Sequence, residues 1–126
     1  GKGSISTETG ALANQPYGFN TRFKEGKGTN PEELIGAAHA SCFTMALSFA
    51  LSEAGYDDGE LNTTAKISLD KNDDGYEISQ SALTLDASVE GISEDEFANI
   101  AQEAKENCPV SQLLDTKITL EFTLNE

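Results

Sequence analysis

The chain has 126 residues, 37% of them hydrophobic, enough to bury one core, although at this size much of the surface stays exposed and a second copy would help. Twenty-two acidic against eight basic residues give a formal charge of −14, a field that repels phosphate backbones and anionic lipid and argues against nucleic-acid and membrane partners. The opening GKGSISTETG lacks the charged-then-apolar pattern of a signal peptide, and the longest apolar run, interrupted by Ser48, reads as too short for a bilayer. A cytoplasmic protein is expected, and its two cysteines are then free, catalytic or metal-bound.

In chain order, Lys2 to Thr9 alternates as a short strand leading to a polar turn. Tyr17, Phe19, Thr21 and Phe23 fall on one face of a second strand, with Asn20 and Arg22 on the other. Glu25 to Gly28 links it to the stretch Thr29 to Gly55, which reads as a long helix. Asn30 can cap its first amides, Pro31 suits the first helical position, Glu32 and Glu33 suit the positive end of the dipole, and Gly55 ends it. Leu34, Ile35, Phe43, Met45, Leu47, Phe49 and Leu51, with interspersed alanines, leave hardly any polar face, the pattern of a helix surrounded by protein. Leu61 to Leu69 and Tyr76 to Val89 alternate on either side of the turn sequence DKNDDG and form a hairpin, with a break in phase between Ile78 and Leu83 that leaves room for a bulge. Ser93 and Glu96 make a capping box for an amphipathic helix to Asn107, striped by Phe97, Ile100, Ala101 and Ala104. A further helical turn begins at Pro109, placing Cys108 at its N-terminus. Lys117 to Leu124 is a final strand. The expected class is α+β, one domain over residues 1–126, with helices packed on an antiparallel sheet.

The reactive side chains are few: Cys42 in mid-helix, Cys108 at a helix start, His39 and Arg22. Buried free cysteines are commonly inert packing residues. His39, three residues before Cys42, invites a cysteine–histidine nucleophile, but no hydrolase signature surrounds it, and a hydrogen-bonded core histidine fits as well. Two cysteines and one histidine without a C-x-x-C pair make a poor zinc site. Asp70, Asp73 and Asp74 lack the closing glutamate of a calcium loop and read as a solvated turn. No metal is expected. Glu32 lies nearly three helical turns before Cys42, on the same side but about 15 Å away, so cooperation would need a third group or a second subunit.

Three blocks carry a resemblance: QPYGFNTRF (Gln15 to Phe23), TNPEELIGAAHASCFTMALS (Thr29 to Ser48) and NCPVSQLL (Asn107 to Leu114). In this order and spacing the sequence closely resembles the osmotically inducible protein C and organic hydroperoxide resistance family, OsmC/Ohr, and its OsmC branch in particular. The resemblance implies a thiol-dependent peroxidase that reduces organic hydroperoxides, and to some degree hydrogen peroxide, to alcohols. It further implies an OsmC-like fold with a long buried central helix, and an intertwined homodimer with active sites at the subunit interface. Matched by motif, Cys42 is the peroxidatic cysteine and Cys108 the resolving one, forming a sulfenic acid and then an intrachain disulfide. Arg22 matches the catalytic arginine and Glu32 the glutamate that holds it. No cofactor is implied beyond an external dithiol reductant. Family members usually begin with a further strand ahead of GKGSIST, so a trimmed chain is expected. Tyr17, Phe19, Phe43 and Met45 are candidates to line a pocket for an alkyl hydroperoxide, or are simply core.

The chemistry explains why an arginine would be needed. A thiol of pKa about 8.5 is about 3% thiolate at pH 7, so lowering it by three units gains at most about thirtyfold in thiolate. Nucleophilicity falls roughly twentyfold over the same range, with a Brønsted slope of about 0.45. Arg22 must therefore orient the peroxide and stabilise the departing alkoxide, with Glu32 fixing its fork. Two readings from other classes stand beside this one: a non-catalytic structural or binding dimer of the same fold, and a cysteine hydrolase using Cys42 and His39.

Overall fold

The computed structural model describes residues 3–18 and 28–126, in two compact units, Gly1–Ile35 and Gly36–Glu126. In the first unit, β1 (Gly3–Ile5) pairs antiparallel with β2 (Gln15–Tyr17). Gly3 sits opposite Tyr17, and a Cβ there would come within 2.6 Å of the tyrosine ring. The expected second strand thus begins two residues before Tyr17; its continuation through Phe19, Arg22 and Phe23 lies outside the described residues. Thr29 bridges to Tyr17, and its amide donates to the Pro16 carbonyl at 2.9 Å.

The long helix, α1, runs Pro31–Glu53. Its start follows the sequence signals: the Asn30 side-chain oxygen accepts the Glu33 amide at 2.8 Å, and Glu33 in turn accepts the Thr29 hydroxyl at 2.6 Å. After its last turn Gly55 adopts φ +97°, a left-handed conformation that glycine takes without steric cost. Two expectations need correction. By length and composition α1 is long and apolar enough to cross a membrane, so the run is not too short. Nor is it enclosed within this chain: His39, Phe43, Leu47 and Leu51 are buried, whereas Met45 and Phe49 are exposed. The buried face packs on protein, which is what marks α1 as a core helix.

In the second unit, β3 (Glu60–Asn72) and β4 (Gly75–Ser88) form the antiparallel hairpin. Its turn is tighter than the DKNDDG sequence suggested. Pairing continues to Asn72 and Gly75, leaving Asp73 and Asp74 as the turn itself. The expected bulge is at Ser79, since Ser68 pairs with Gln80 but Leu69 with Ile78. Beyond it the regular pleat turns Ser81, Leu83, Leu85 and Ala87 to the core, out of phase with the residues before the bulge.

α2 (Glu94–Asn107) is capped by Ser93, whose hydroxyl accepts the Glu96 amide at 3.1 Å. It leads through α3 (Pro109–Leu113) into β5 (Lys117–Leu124). β5 pairs parallel with β4, from Gln80 opposite Lys117 to Ala87 opposite Leu124. The sheet is therefore mixed, because the intervening helices carry the chain back to the end of the sheet at which β4 started, the geometry of a crossover connection. The core gathers Phe43, Leu47 and Leu51 of α1, the inward side chains of β4, and Phe97, Ala101 and Ala104 of α2. Phe97 lies against Phe122 of β5 with ring centroids 5.1 Å apart. Backbone contact is close where α1 crosses β3: a Cβ on Gly36 would lie 2.9 Å from the Ala65 carbonyl oxygen.

Candidate active site

Cys42 lies a turn beyond His39 on α1, is half-buried and packs against the core. Cys108 is the residue between α2 and α3, and is sealed from solvent. Its extended backbone ends one helix and caps the next: its amide donates to the Ala104 carbonyl at 3.0 Å, while its sulfur accepts the Ser111 amide at 3.5 Å. Pro109 at the first position of α3 has no amide to satisfy, so the free donors belong to the residues after it.

Both cysteines are free thiols, and they lie close enough for each to shift the ionisation of the other. The structure thus brings together the two residues that the sequence matched as a redox pair. Burial pushes the Cys108 thiol up, but the hydrogen bonds from Cys42, from the amide and hydroxyl of Ser111 and from the Val110 amide outweigh it, and the net shift is downward. Cys42 moves the other way. Burial raises its thiol, the Val110 amide partly offsets this, and the contact with Cys108 raises it further. In the resting pair the negative charge accordingly favours Cys108, with the Cys42 S–H as one of its donors. The two ionisations belong to the pair rather than to either sulfur alone.

His39 is wholly buried, with Nδ1 2.6 Å from the Ser81 hydroxyl oxygen and Nε2 2.8 Å from that of Ser111. Burial lowers its pKa, so it is neutral near pH 7. This settles the two alternatives in favour of the core histidine. A Cys42–His39 dyad would need a ring nitrogen for the thiol, and serines occupy both. The same occupancy removes His39 as a zinc ligand, and no group of three or more potential ligands occurs among the described residues.

Glu32 is buried in the first turn of α1 and has an interaction partner. Arg22 and Phe19 lie outside the described residues. The remaining pocket candidates separate: Tyr17 is 43% and Met45 72% exposed, whereas Phe43 is 0% exposed in the core cluster. Phe43 is therefore corrected from pocket lining to core. An open cavity of about 710 Å³ is walled by residues of β4, α2 and β5, including Thr84, Asp86, Glu94 and Phe122, and reaches neither cysteine. Sequence reasoning missed Ser81, Val110 and Ser111. Ser111 carried a signal in retrospect, as a hydroxyl residue three positions after a cysteine that caps a helix.

An α+β fold with a long apolar helix, a mixed sheet and two free, neighbouring cysteines from distant parts of the sequence defines a class of thiol proteins, and comparison identifies the family. The OsmC-like protein family matches residues 24–123, and the chain belongs to it. It is 57% identical over 124 residues to the peroxiredoxin OsmC of Escherichia coli K12, a match covering 98% of this chain and 87% of that one. An organic hydroperoxide resistance protein-like relative from Staphylococcus aureus RF122 is 32% identical over 102 residues, 80% of this chain and 72% of its own. Two solved structures share the fold. The organic hydroperoxide resistance protein OsmC of Legionella pneumophila has a TM-score of 0.70 at 23% identity, covering 98% of this chain and 88% of that one. OhrB of Bacillus subtilis has a TM-score of 0.70 at 23% identity, with coverage of 96% and 88%.

Proposed function

We propose that the protein is a cysteine-based peroxidase that reduces organic hydroperoxides through Cys42 and Cys108. The observation that carries this reading is that two free thiols from distant parts of the sequence act on each other's ionisation, one partly open to solvent and one sealed. Solvent and substrate reach Cys42 first, so Cys42 is the attacking sulfur. In the singly ionised pair the Cys42 proton passes to Cys108 as peroxide binds, and the resulting Cys42 thiolate attacks the distal peroxide oxygen. An S–O bond forms, the O–O bond breaks, and the alkoxide takes that proton to leave as alcohol. Cys108 is again a thiolate, held by the Ser111 and Val110 donors. It attacks the Cys42 sulfenic acid, forming the S–S bond and releasing hydroxide, which is protonated to water. Each sulfur gives up one electron and the peroxide receives two. The lowered Cys108 thiol thus suits the second step, in which it is the nucleophile.

In this reading Arg22 orients the peroxide and stabilises the alkoxide, and Glu32 holds the arginine. Tyr17, Phe19 and Met45 offer apolar contact to an alkyl chain. An external dithiol reduces the disulfide, with no other cofactor, in the reducing setting of a cytoplasm. The exposed apolar face of α1, with Met45 and Phe49, supports a homodimer whose second copy covers it.

Titration of the reduced protein with cumene hydroperoxide tests the reading. Both thiols are lost per peroxide in the unaltered chain. Cys42→Ser loses none, and Cys108→Ser loses one thiol once, without turnover under dithiol. Retention of both thiols by the unaltered chain overturns the peroxidase.

A further inference from the structure

We propose that His39 is a positioning residue for the second, resolving step, acting through Ser111 to decide whether a hydroxyl hydrogen is offered to the Cys108 sulfur. The inference rests on the reading of Cys108 as the resolving cysteine. Its basis is a buried chain of polar groups: Ser81 and His39 at 2.6 Å, His39 and Ser111 at 2.8 Å, and the Ser111 amide on the Cys108 sulfur at 3.5 Å, which sets the Ser111 hydroxyl beside that sulfur. His39 and Ser81 are fully buried and Ser111 nearly so, so water does not compete for these bonds.

Hydrogen counting restricts this chain to two arrangements. A neutral imidazole has one N–H and one lone pair, and a serine hydroxyl has one hydrogen. If Nδ1 carries the proton, it donates to Ser81. Nε2 must then accept the Ser111 hydrogen, and only the Ser111 oxygen remains to face Cys108, as acceptor for a thiol S–H. If Nε2 carries the proton, it donates to the Ser111 oxygen, and the Ser111 hydrogen is free to point at Cys108, as donor to a thiolate. Ser81 then donates to Nδ1. The histidine tautomer is therefore matched to the ionisation of a sulfur that it does not touch.

The arrangement with the proton on Nε2 is the one the resolving step uses, since Cys108 attacks as thiolate. In it Ser111 gives the sulfur two bonds, from its amide and its hydroxyl. Without the imidazole, the Ser111 hydroxyl is free to turn to a backbone carbonyl one helical turn back, as serines in helices do. Among the described residues, the titratable group that acts on Cys108 is Cys42 on α1; α3 contributes only amides and the Ser111 hydroxyl.

The test follows the lifetime of the Cys42 sulfenic acid after one equivalent of cumene hydroperoxide, by dimedone capture against disulfide formation, from pH 5 to 9. Ser111→Ala is expected to lengthen that lifetime about tenfold at neutral pH and to move the midpoint of the resolution profile up by about one unit, the equivalent of losing one hydrogen bond to an ionised sulfur. Ser111→Thr restores the midpoint because it keeps the hydroxyl. His39→Leu moves it in the same direction by less, and His39→Gln, which can still donate to Ser111, leaves it near its original value. A role limited to packing would change rates equally at all pH values. A wild-type midpoint in Ser111→Ala or in His39→Leu overturns the inference, and His39→Met, which likewise cannot donate to Ser111, takes the place of His39→Leu if that variant does not fold. Failure of the unaltered protein to form any disulfide overturns the redox pair itself, a separate outcome.

Discussion

On one side of α1, His39, Phe43 and Leu47 are sealed in the interior; on the other, Met45 and Phe49 stand 72% and 69% exposed. Both sides are apolar, and side-chain chemistry alone does not tell them apart. What separates them is that the inner side also carries polar groups with fixed partners, His39 between two serines and Thr44 2.6 Å from Thr63 of β3. Such bonds fix a helix in one rotational setting against its own sheet. The outer side has the same appetite for burial without such pins, which supports the proposed homodimer.

The comparison breaks most sharply at its centre. Phe43→Ala on the inner side is expected to cost about 3–5 kcal/mol of stability, because it leaves a cavity amid Leu47, Leu83 and their neighbours. Urea unfolding of the reduced protein measures this. The paired change Met45→Glu with Phe49→Glu on the outer side should leave each chain folded, with helix content unchanged, and shift the sedimentation coefficient from dimer to monomer. A fold lost through the outer pair but kept through Phe43→Ala would reverse the assignment of the two sides.

A smaller effect sharpens the inner side alone. His39 titrates lower in the folded chain than its ordinary value near 6.5, because burial disfavours the charged ring. Between the two values the unfolded chain holds a proton that the folded chain lacks, so stability rises with pH there. It is full above about pH 6.5 and is lost as pH falls through that value toward the folded one, by at most about 1.4 kcal/mol per unit. The difference between the unaltered protein and His39→Gln, by urea unfolding at pH 7.5 and 5.5, isolates this component from the carboxylates. A difference that does not change with pH would mean that the imidazole titrates alike in the folded and unfolded chains.

Much of this was legible in the sequence wherever a signal is local. Asn30, Pro31 and Gly55 bounded α1, Ser93 and Glu96 marked the start of α2, and the loss of phase after Ile78 marked the bulge at Ser79. Cys108 at a helix start followed from Pro109. Long-range facts were not legible in the same way. The parallel pairing of β5 depends on how α2 returns the chain, which no alternation within Lys117 to Leu124 encodes. Phe43 and Met45 looked equivalent as pocket candidates because they lie two positions apart on a uniformly apolar helix, yet one is core and the other surface. The donors to Cys108 were partly visible, since NCPVS places Ser111 one turn after the cysteine. The link from Ser111 to His39 required the fold, because Ser111 and His39 stand on separate helices.

The central claim is that Cys42 and Cys108 exchange electrons with peroxide as one unit. Peptide mapping by mass spectrometry, on reduced protein given one equivalent of cumene hydroperoxide under denaturing thiol-blocked workup, tests it most directly. The expected product is a single species in which the peptides bearing Cys42 and Cys108 are joined within one chain, two mass units lighter than the reduced form by loss of two hydrogens. Two separately blocked thiols, or a Cys42-to-Cys42 link between chains, would contradict the account.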